Sequence, residues 1–354
     1  MGDVRRQAVA VAVAVVVALV GACSDALEKD TTAGQIVAVV NSGSDAVTLI
    51  SATHFTGTNL PYANPFATPA SIAARDSFLL VPVATGDSIV VTRLLVSGAV
   101  SSQVIRLKSG AQASGIAVED DSLAWVAEPG LNRAQQINYL TFDTTSRTAA
   151  GDRASAAVVA DGRVWVINAN AVNNVPAGAS SVTVRLTSGA SNVIDTIPLT
   201  GTNAQFAVLG ADGLIYVVDR GAQGKANGRL SIVDTATRSE VAVINGLGEL
   251  PGPAVYHPSG RLLIAGGANG IMEINTLTRT LAPGPGAGLT PGGDSVVALA
   301  VDQRGRVYAV APRGCGGPGV VHVLSAPPAY IELKTVAVGT CPRAAAVAFS
   351  PAIP

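Results

Sequence analysis

The chain has 354 residues, of which 48% are hydrophobic and 13% are charged, and its formal net charge is -1. This balance, without a basic stripe or an acidic tail, excludes the field that draws a protein to nucleic acid or to an acidic membrane surface. No nucleic-acid partner is therefore expected. The 38 glycines and 20 prolines indicate many tight turns, and the abundance of valine and isoleucine favours strands over helices.

The first 34 residues indicate an export signal followed by a tether. The arginine pair of "MGDVRR" precedes an apolar run, Ala8–Val20, that is too short to span a membrane comfortably. The stretch "VGAC" then ends at Cys23 and resembles the lipobox of bacterial lipoproteins, whose cysteine is acylated. The resemblance implies a signal peptide over residues 1–22, a lipid on Cys23 and a tether over residues 23–34. An ordinary secretory signal and a short anchor helix are the alternatives.

This interpretation predicts an exported protein that is held by its lipid on the periplasmic side of the cell envelope. The membrane is then its first partner, because several acyl chains on one residue bind stably, at about 0.8 kcal/mol for each buried methylene. Ser24 follows the cysteine and carries no charge that would retain the protein in the inner membrane. The outer membrane is therefore preferred.

From residue 35 onward, one pattern recurs about every 46 residues. An apolar strand, a tight turn and a second strand ending near Val-x-Val are followed by a third and often a fourth strand. Glycine-containing pairs mark the turns, because glycine reaches positive φ without strain. The clearest pairs are Asp161–Gly162, Asp212–Gly213, Ser259–Gly260 and Arg304–Gly305, with weaker copies within residues 71–83 and 115–127. No helical period follows the signal, so helices are expected to be nearly absent.

Four antiparallel strands repeated at this spacing predict an all-β fold, a seven-bladed β-propeller over residues 35–354. The last strand, Ala345–Phe349, has no partner after it, and the strand within residues 35–41 has no first strand before it. We therefore expect the C-terminal strand to be the innermost strand of the N-terminal blade. That pairing closes the ring and removes exposed sheet edges.

The cysteines fit the same closure. Cys315 and Cys341 are the two that remain after Cys23. In an oxidising compartment an even remainder predicts a disulfide, with two buried free thiols as the alternative. A bridge beside the closing strand would stabilise the ring by about 3 kcal/mol in the loop-entropy description.

Several tetrads are similar to the Tyr-Val-Thr-Asn signature of YVTN-type propeller repeats. They are "AVVN" (Ala38–Asn41), "WVIN" (Trp165–Asn168) and "YVVD" (Tyr216–Asp219), and the stretch Gly228–Ile244 is the most similar part of the chain. The Gly-His and Trp-Asp marks of WD40 blades are absent. YVTN-type propellers are mostly surface or periplasmic proteins of diverse function, so the resemblance implies a fold and a compartment rather than an activity.

Polar residues that end the second strands are expected to converge at the mouth of the central channel. The loops after the second and fourth strands share that face, and convergent polar groups in a concavity are typical of ligand sites. The predicted ligand-binding residues are Asn41, Glu128, Asn168, Asn170, Asp219, Arg220, Asn269 and Arg313. The competing interpretation is structural, because Asn and Asp at a strand end commonly hydrogen-bond their own turn.

Two functions are compatible with these residues. The favoured one needs no cofactor: a lipid-anchored, monomeric, non-catalytic binding or scaffolding platform whose mouth-face loops take a protein, peptide or glycan. The alternative is a divalent-metal-dependent hydrolase or lactonase, similar to gluconolactonase-like propellers. In that case Glu128, Asn168 and Asp219 would bind Ca²⁺ or Mg²⁺ at the channel mouth.

Overall fold

The computed structural model describes residues 34–61, 68–95, 100–188, 194–282 and 287–350. The predicted signal peptide, Cys23 and the tether up to residue 33 lie outside these ranges. Within them, no helix is long and apolar enough to cross a membrane. The described ranges cover most of the predicted propeller.

Seven four-stranded antiparallel sheets, here called blades 1 to 7 in chain order, make up the fold. Strands are given from the innermost to the outermost. Blade 1 contains β30 (Pro342–Phe349), β1 (Gln35–Asn41), β2 (Ala46–Ser51) and β3 (Gly57–Pro61). Blade 2 contains β4 (Ala73–Arg75), β5 (Phe78–Val83), β6 (Ser88–Leu94) and β7 (Val100–Arg106). Blade 3 contains β8 (Ile116–Val118), β9 (Leu123–Glu128), β10 (Arg133–Asn138) and β11 (Asp143–Ala149).

The remaining blades repeat this order. Blade 4 contains β12 (Ala154–Ala160), β13 (Arg163–Asn168), β16 (Ser181–Leu186) and β17 (Asp195–Pro198). Blade 5 contains β18 (Ala204–Leu209), β19 (Leu214–Asp219), β20 (Gly228–Asp234) and β21 (Ser239–Gly248). Blade 6 contains β22 (Ala254–His257), β23 (Arg261–Ala265), β24 (Ile271–Asn275) and β25 (Thr280–Ala282). Blade 7 contains β26 (Ala298–Val301), β27 (Val307–Ala311), β28 (Pro318–Leu324) and β29 (Glu332–Thr340).

Little else in the described chain is regular structure. A small hairpin, β14 (Ala171–Val172) with β15 (Val175–Pro176), interrupts blade 4 between its second and third strands. Helical segments are single 3₁₀ turns, at Pro129–Leu131, Pro291–Gly293 and Arg313–Cys315. The expectation that helices are nearly absent is confirmed over the described residues.

The turns between first and second strands follow the glycine chemistry of the sequence. Asp161 and Gly162 have φ angles of 53° and 66°, so both occupy the left-handed region that a tight hairpin requires. The glycines of the corresponding turns in blades 5, 6 and 7 have φ angles of 77°, 76° and 74°. In blades 4 to 7 a local sequence rule therefore sets the hairpin between the first two strands.

The predicted closure of the ring is confirmed. The C-terminal strand β30 pairs antiparallel with β1, with Gln35 opposite Phe349 and Val39 opposite Ala345. The innermost strands contact one another in the order β4, β8, β12, β18, β22, β26 and β30, and β30 contacts β4 again. The seven strands therefore surround a central channel. Cys315 and Cys341 form a disulfide, and Cys341 directly precedes β30.

The hydrophobic core lies between the blades. Seven buried clusters are present in the described chain, and each combines residues of two neighbouring blades. The cluster between blades 7 and 1 packs Val37 and Val39 against Tyr308 and Val310, so it depends directly on the closure. Trp125 and Trp165 occupy the same position in the second strands of blades 3 and 4, where both are buried between neighbouring blades.

Candidate functional site

A cavity of about 740 Å³ lies at one end of the channel, where the innermost strands begin. We call it the mouth cavity, and every blade contributes to its wall. Its lining includes Ser71, Gly115, Ala156, Phe206, Pro253, Val297 and Ala344. The loops after the second and fourth strands lie on this face, so the mouth cavity occupies the place where the sequence predicted a ligand.

Small side chains line the mouth cavity because the innermost strands crowd around the axis. A Cβ atom added at Gly115 would lie 2.6 Å from the Cα atom of Ala156 in the next blade. A Cβ atom at Gly252 would lie 2.9 Å from the carbonyl oxygen of Ala265. Backbone and small apolar side chains consequently make up much of the wall, with a few larger and polar side chains among them.

Three residues reach the mouth cavity through β-bulges in innermost strands. In blade 1 the register skips Arg343, because Asn41 lies opposite Pro342 while Val40 lies opposite Ala344. Blades 4 and 5 repeat this arrangement, and the skipped residues are Ser155 and Gln205. All three line the mouth cavity. A bulge re-aims its extra residue, so the fold has a repeated device for placing polar groups here.

Arg220 follows β19 and is the one predicted binding residue that lines the mouth cavity among the described residues. Its Nε donates to the carbonyl oxygen of Pro251 at 3.1 Å, and its Nη1 donates to Oδ1 of Asn174 at 3.1 Å. The guanidinium also lies over the ring of Phe206, at 5.8 Å from the centroid. Burial lowers the pKa of the Arg220 guanidinium from its usual value.

The amides and carboxyl that end β1, β13 and β19 point into their blades instead. Asn41 donates from Nδ2 to Oγ1 of Thr48 at 2.9 Å, and Asn168 donates from Nδ2 to Oγ1 of Thr183 at 2.9 Å. In blade 5 the hydroxyl of Ser231 donates to Oδ2 of Asp219 at 2.6 Å. Each residue therefore bonds the third strand of its own blade, and all three are buried. This arrangement resembles the structural interpretation of these positions, with the third strand as the partner in addition to the turn.

The two predicted carboxylates, Glu128 and Asp219, are buried and separate. Glu128 forms an ion pair with Arg133 on the neighbouring strand of blade 3. Asp219 forms no ion pair among the described residues, and burial raises its pKa to about 7. Its Oδ1 atom and the Oε1 atom of Glu128 are buried without a hydrogen-bond partner among the described residues. Neither carboxylate lines the mouth cavity.

The remaining predicted residues contact nearby residues around the mouth. Asn170 donates to the carbonyl oxygen of Ala179 at 3.2 Å within its own loop. Arg313 forms an ion pair with Asp294 at 2.9 Å. The side chain of Asn269 packs against Gly248, where an added Cβ would lie 2.4 Å from its Nδ2. The eight predicted residues therefore surround the mouth without forming one cluster.

The described residues contain no group of three or more His, Cys, Asp or Glu side chains able to hold a metal ion. His322 lies between two acids: its Nε2 is 2.9 Å from Oδ2 of Asp294, and its Nδ1 is 2.9 Å from Oε1 of Glu332. It is buried within blade 7. His257 bonds Ser259 and the carbonyl oxygen of Gly305, so it joins the turns of blades 6 and 7.

The hairpin β14–β15 is a feature of the mouth that the sequence analysis did not predict. Asn173 and Asn174 at its tip have φ angles of 50° and 60°. Two consecutive residues with positive φ are typical of a type I′ hairpin turn. Oδ1 of Asn174 accepts from Arg220, and this contact anchors the tip beside the mouth cavity. Val172 and Val175 are exposed on it. The sequence feature that could have predicted this hairpin is the Asn173–Asn174 pair between two valines.

No protein-family model matches the sequence, and no curated protein matches it. Solved structures match its fold. A functionally unknown protein from Desulfotomaculum acetoxidans aligns with a TM-score of 0.66 and 14% identity, over 89% of this chain and 99% of that chain. Hydrazine synthase from Kuenenia stuttgartiensis aligns with a TM-score of 0.59 and 15% identity, over 78% and 80%.

A streptogramin B lyase aligns with a TM-score of 0.60 and 12% identity, over 79% of this chain and 91% of that chain. The proteins behind these matches differ widely in what their names describe, and all the identities are low. The matches therefore show the fold alone. The chain is a seven-bladed β-propeller with structural neighbours among propeller proteins.

Proposed function

We propose that this protein is a binding platform of the cell envelope, anchored by a lipid on Cys23, that receives its partner at the mouth cavity. The observation that carries the proposal is the separation of two sets of polar groups. Glu128 and Asp219, the acids that catalysis would need, are buried inside blades. Arg220, Arg343 and Gln205 instead line an open cavity with apolar walls. Such a cavity suits recognition, because few polar groups orient a ligand that apolar walls hold.

The exposed part of the mouth face supports the same function. The hairpin β14–β15 presents Val172 and Val175 beside the cavity, and exposed apolar side chains at the rim of a concavity favour contact with a partner. The lipid anchor would hold the propeller at the cell envelope, close to other envelope components. Its support is the lipobox resemblance around Cys23.

Two experiments on the full chain test this proposal. Expression in a bacterial host with an alkyne analogue of palmitate tests the anchor. The native protein should take up the label and fractionate with membranes, whereas Cys23→Ser should lose both properties. Labelling of the Cys23→Ser variant would refute the anchor.

Photo-crosslinking in the same cells tests the mouth. A benzophenone amino acid at Val175, on the mouth-face hairpin, should give adducts that the same group at Asp161, on the opposite face, does not give. Ala70→Trp places a large ring at a position that lines the mouth cavity and should remove those adducts. Equal adducts from both faces would refute binding at the mouth.

A further inference from the structure

The guanidinium of Arg220 has no carboxylate partner among the described residues. Its acceptors are neutral: the carbonyl oxygens of Pro251 and Leu250, at 3.1 Å and 3.4 Å, and Oδ1 of Asn174 at 3.1 Å. Other arginines of the ring contrast with this arrangement. Arg133, Arg261, Arg306 and Arg313 each form an ion pair with an acid. A half-buried guanidinium without a counter-charge carries a desolvation cost that a bound anion would offset.

The hydrogen bonds of Arg220 leave it ready for a planar anion. A guanidinium has five N–H donors. One on Nε, one on Nη1 and one on Nη2 are used by the three acceptors above. One donor therefore remains on each terminal nitrogen, and these N–H groups can donate to the oxygens of a carboxylate.

The mouth cavity contains a second cation and no acid. Arg343 lines it from blade 1, and its Nε donates to the hydroxyl of Ser42 at 2.9 Å. Blade 1 lies three blades from blade 5 around the ring, so the two arginines border the cavity from distant parts of its rim. No Asp or Glu is among the described residues that line the cavity. The charge inside it is consequently of one sign.

Several large apolar side chains line the mouth cavity. Phe206 lies under the guanidinium, and Ile72, Val255 and Leu299 line the cavity from blades 2, 6 and 7. A volume of about 740 Å³ lies within the range of cavities that hold small organic ligands. Apolar walls with cationic anchors complement a molecule that has an apolar body and a terminal negative charge.

We propose that the mouth cavity binds a small organic acid, whose carboxylate is held by Arg220 and whose apolar body lies against Phe206, while Arg343 adds positive charge from a distant part of the rim. This inference rests on the proposed binding function and specifies the chemistry of its ligand. The bulge in β30 serves this site, because it places Arg343 at the cavity rim. The hairpin tip orients Arg220 through Asn174.

A matched pair of probes tests the charge directly. 4-Phenylbutanoate and 4-phenylbutanamide have the same size and differ in charge, and their dissociation constants for the full chain can be measured by titration calorimetry. The acid should bind about tenfold more tightly or better, since a hydrogen bond to a charged group contributes about 1.5–3 kcal/mol. Raising the salt concentration should weaken the binding of the acid and leave the binding of the amide unchanged.

Variants locate the effect. Arg220→Gln should bring the two dissociation constants within about twofold, and Arg343→Gln should reduce their ratio in part. Arg147→Gln removes an exposed arginine on the outer strand of blade 3 and should change nothing. Arg343 is exposed, so its variant tests the site even if Arg220→Gln loosens the hairpin.

The outcomes separate this inference from the proposed function. Equal affinity for acid and amide in the native protein would overturn the anion site while leaving a binding cavity. Absence of binding by both probes, with mouth-specific crosslinks intact in cells, would also overturn the inference and leave the platform standing. A preference for the acid that survives both Arg220→Gln and Arg343→Gln would assign the anion to another place.

Discussion

Replacing Asp219 by asparagine should remove a pH-dependent cost from the folded protein. Asp219 is fully buried at the end of β19, its Oδ1 atom has no partner among the described residues, and burial raises its pKa to about 7. The native state therefore holds a proton that the unfolded chain releases near pH 4. Because the folded pKa is the higher one, stability from this group falls as the pH rises from about 4 to about 7.

The magnitude follows from that shift. The rise from 3.8 to about 7 is roughly three pK units, and each unit corresponds to about 1.4 kcal/mol. Ionised Asp219 should thus cost up to about 4 kcal/mol above pH 7. Asparagine has the same shape and no charge, and Asn41 and Asn168 already occupy the equivalent places in blades 1 and 4, where they bond third-strand hydroxyls.

Urea unfolding of the full chain at about pH 5 and about pH 8.5 measures the effect. Between the two pH values the stability of Asp219→Asn relative to the native protein should rise by roughly 3 kcal/mol, because two of the three pK units of cost accumulate between about pH 5 and about pH 7. Asp161→Asn, in an exposed turn, is the matched control and should leave the pH dependence unchanged. A stability difference between Asp219→Asn and the native protein that is the same at both pH values would refute the reasoning.

Three further predictions concern the ring, the metal and blade 7. Replacing Cys315 and Cys341 by serine should lower the free energy of unfolding by about 3 kcal/mol, because the bridge spans 26 residues; urea titration with no shift would contradict this. Millimolar Ca²⁺ or Mg²⁺ should leave the melting temperature unchanged, since Glu128 and Asp219 are buried apart; a shift abolished by replacing both would restore the hydrolase alternative. In blade 7, partial burial raises the pKa of Asp294, but bonds from His322 and Arg313 outweigh it and hold the pKa below its usual value. Bonds from Thr335 and His322 likewise lower the pKa of Glu332. These two carboxylates stabilise the fold above pH 4 and lose that effect as the pH falls further, so His322→Gln should reduce the acid sensitivity of unfolding. If His322→Gln loses stability at acidic pH as steeply as the native protein, His322 does not set the pKa values of Asp294 and Glu332.

The fold could be predicted from the sequence because its rules are local and repeated. Asp161–Gly162 and the corresponding turns specify hairpins through backbone conformation alone. The closure followed from counting: the strand before Ser350 lacked a partner, and Gln35–Asn41 lacked a first strand. The cysteine pair followed from the even number of cysteines left after Cys23 and from the expected oxidising compartment.

The sequence predicted the location of the mouth cavity but, apart from Arg220, not the side chains that line it. Whether Asp219 faces the channel or its own blade depends on the side-chain alternation along β19. Bulges in the innermost strands opposite Asn41, Asn168 and Asp219 decide which neighbouring residues reach the mouth cavity. A bulge leaves no clear mark in a single sequence, so Arg343 and Gln205 were missed. The role of Arg220 also depends on Asn174, a contact over 46 residues that no local pattern encodes.

The closure of the ring by β30 is tested most directly by residue-resolved hydrogen exchange on the full chain. β30 is innermost, so its ladder hydrogen bonds go to β1 alone. Alternate amides along residues 344–348 should exchange as slowly as those of β13 and β19, in the centres of blades 4 and 5. Exchange of those amides at the rate of exposed loops would contradict the shared sheet, and with it the mouth cavity that the sheet helps to form.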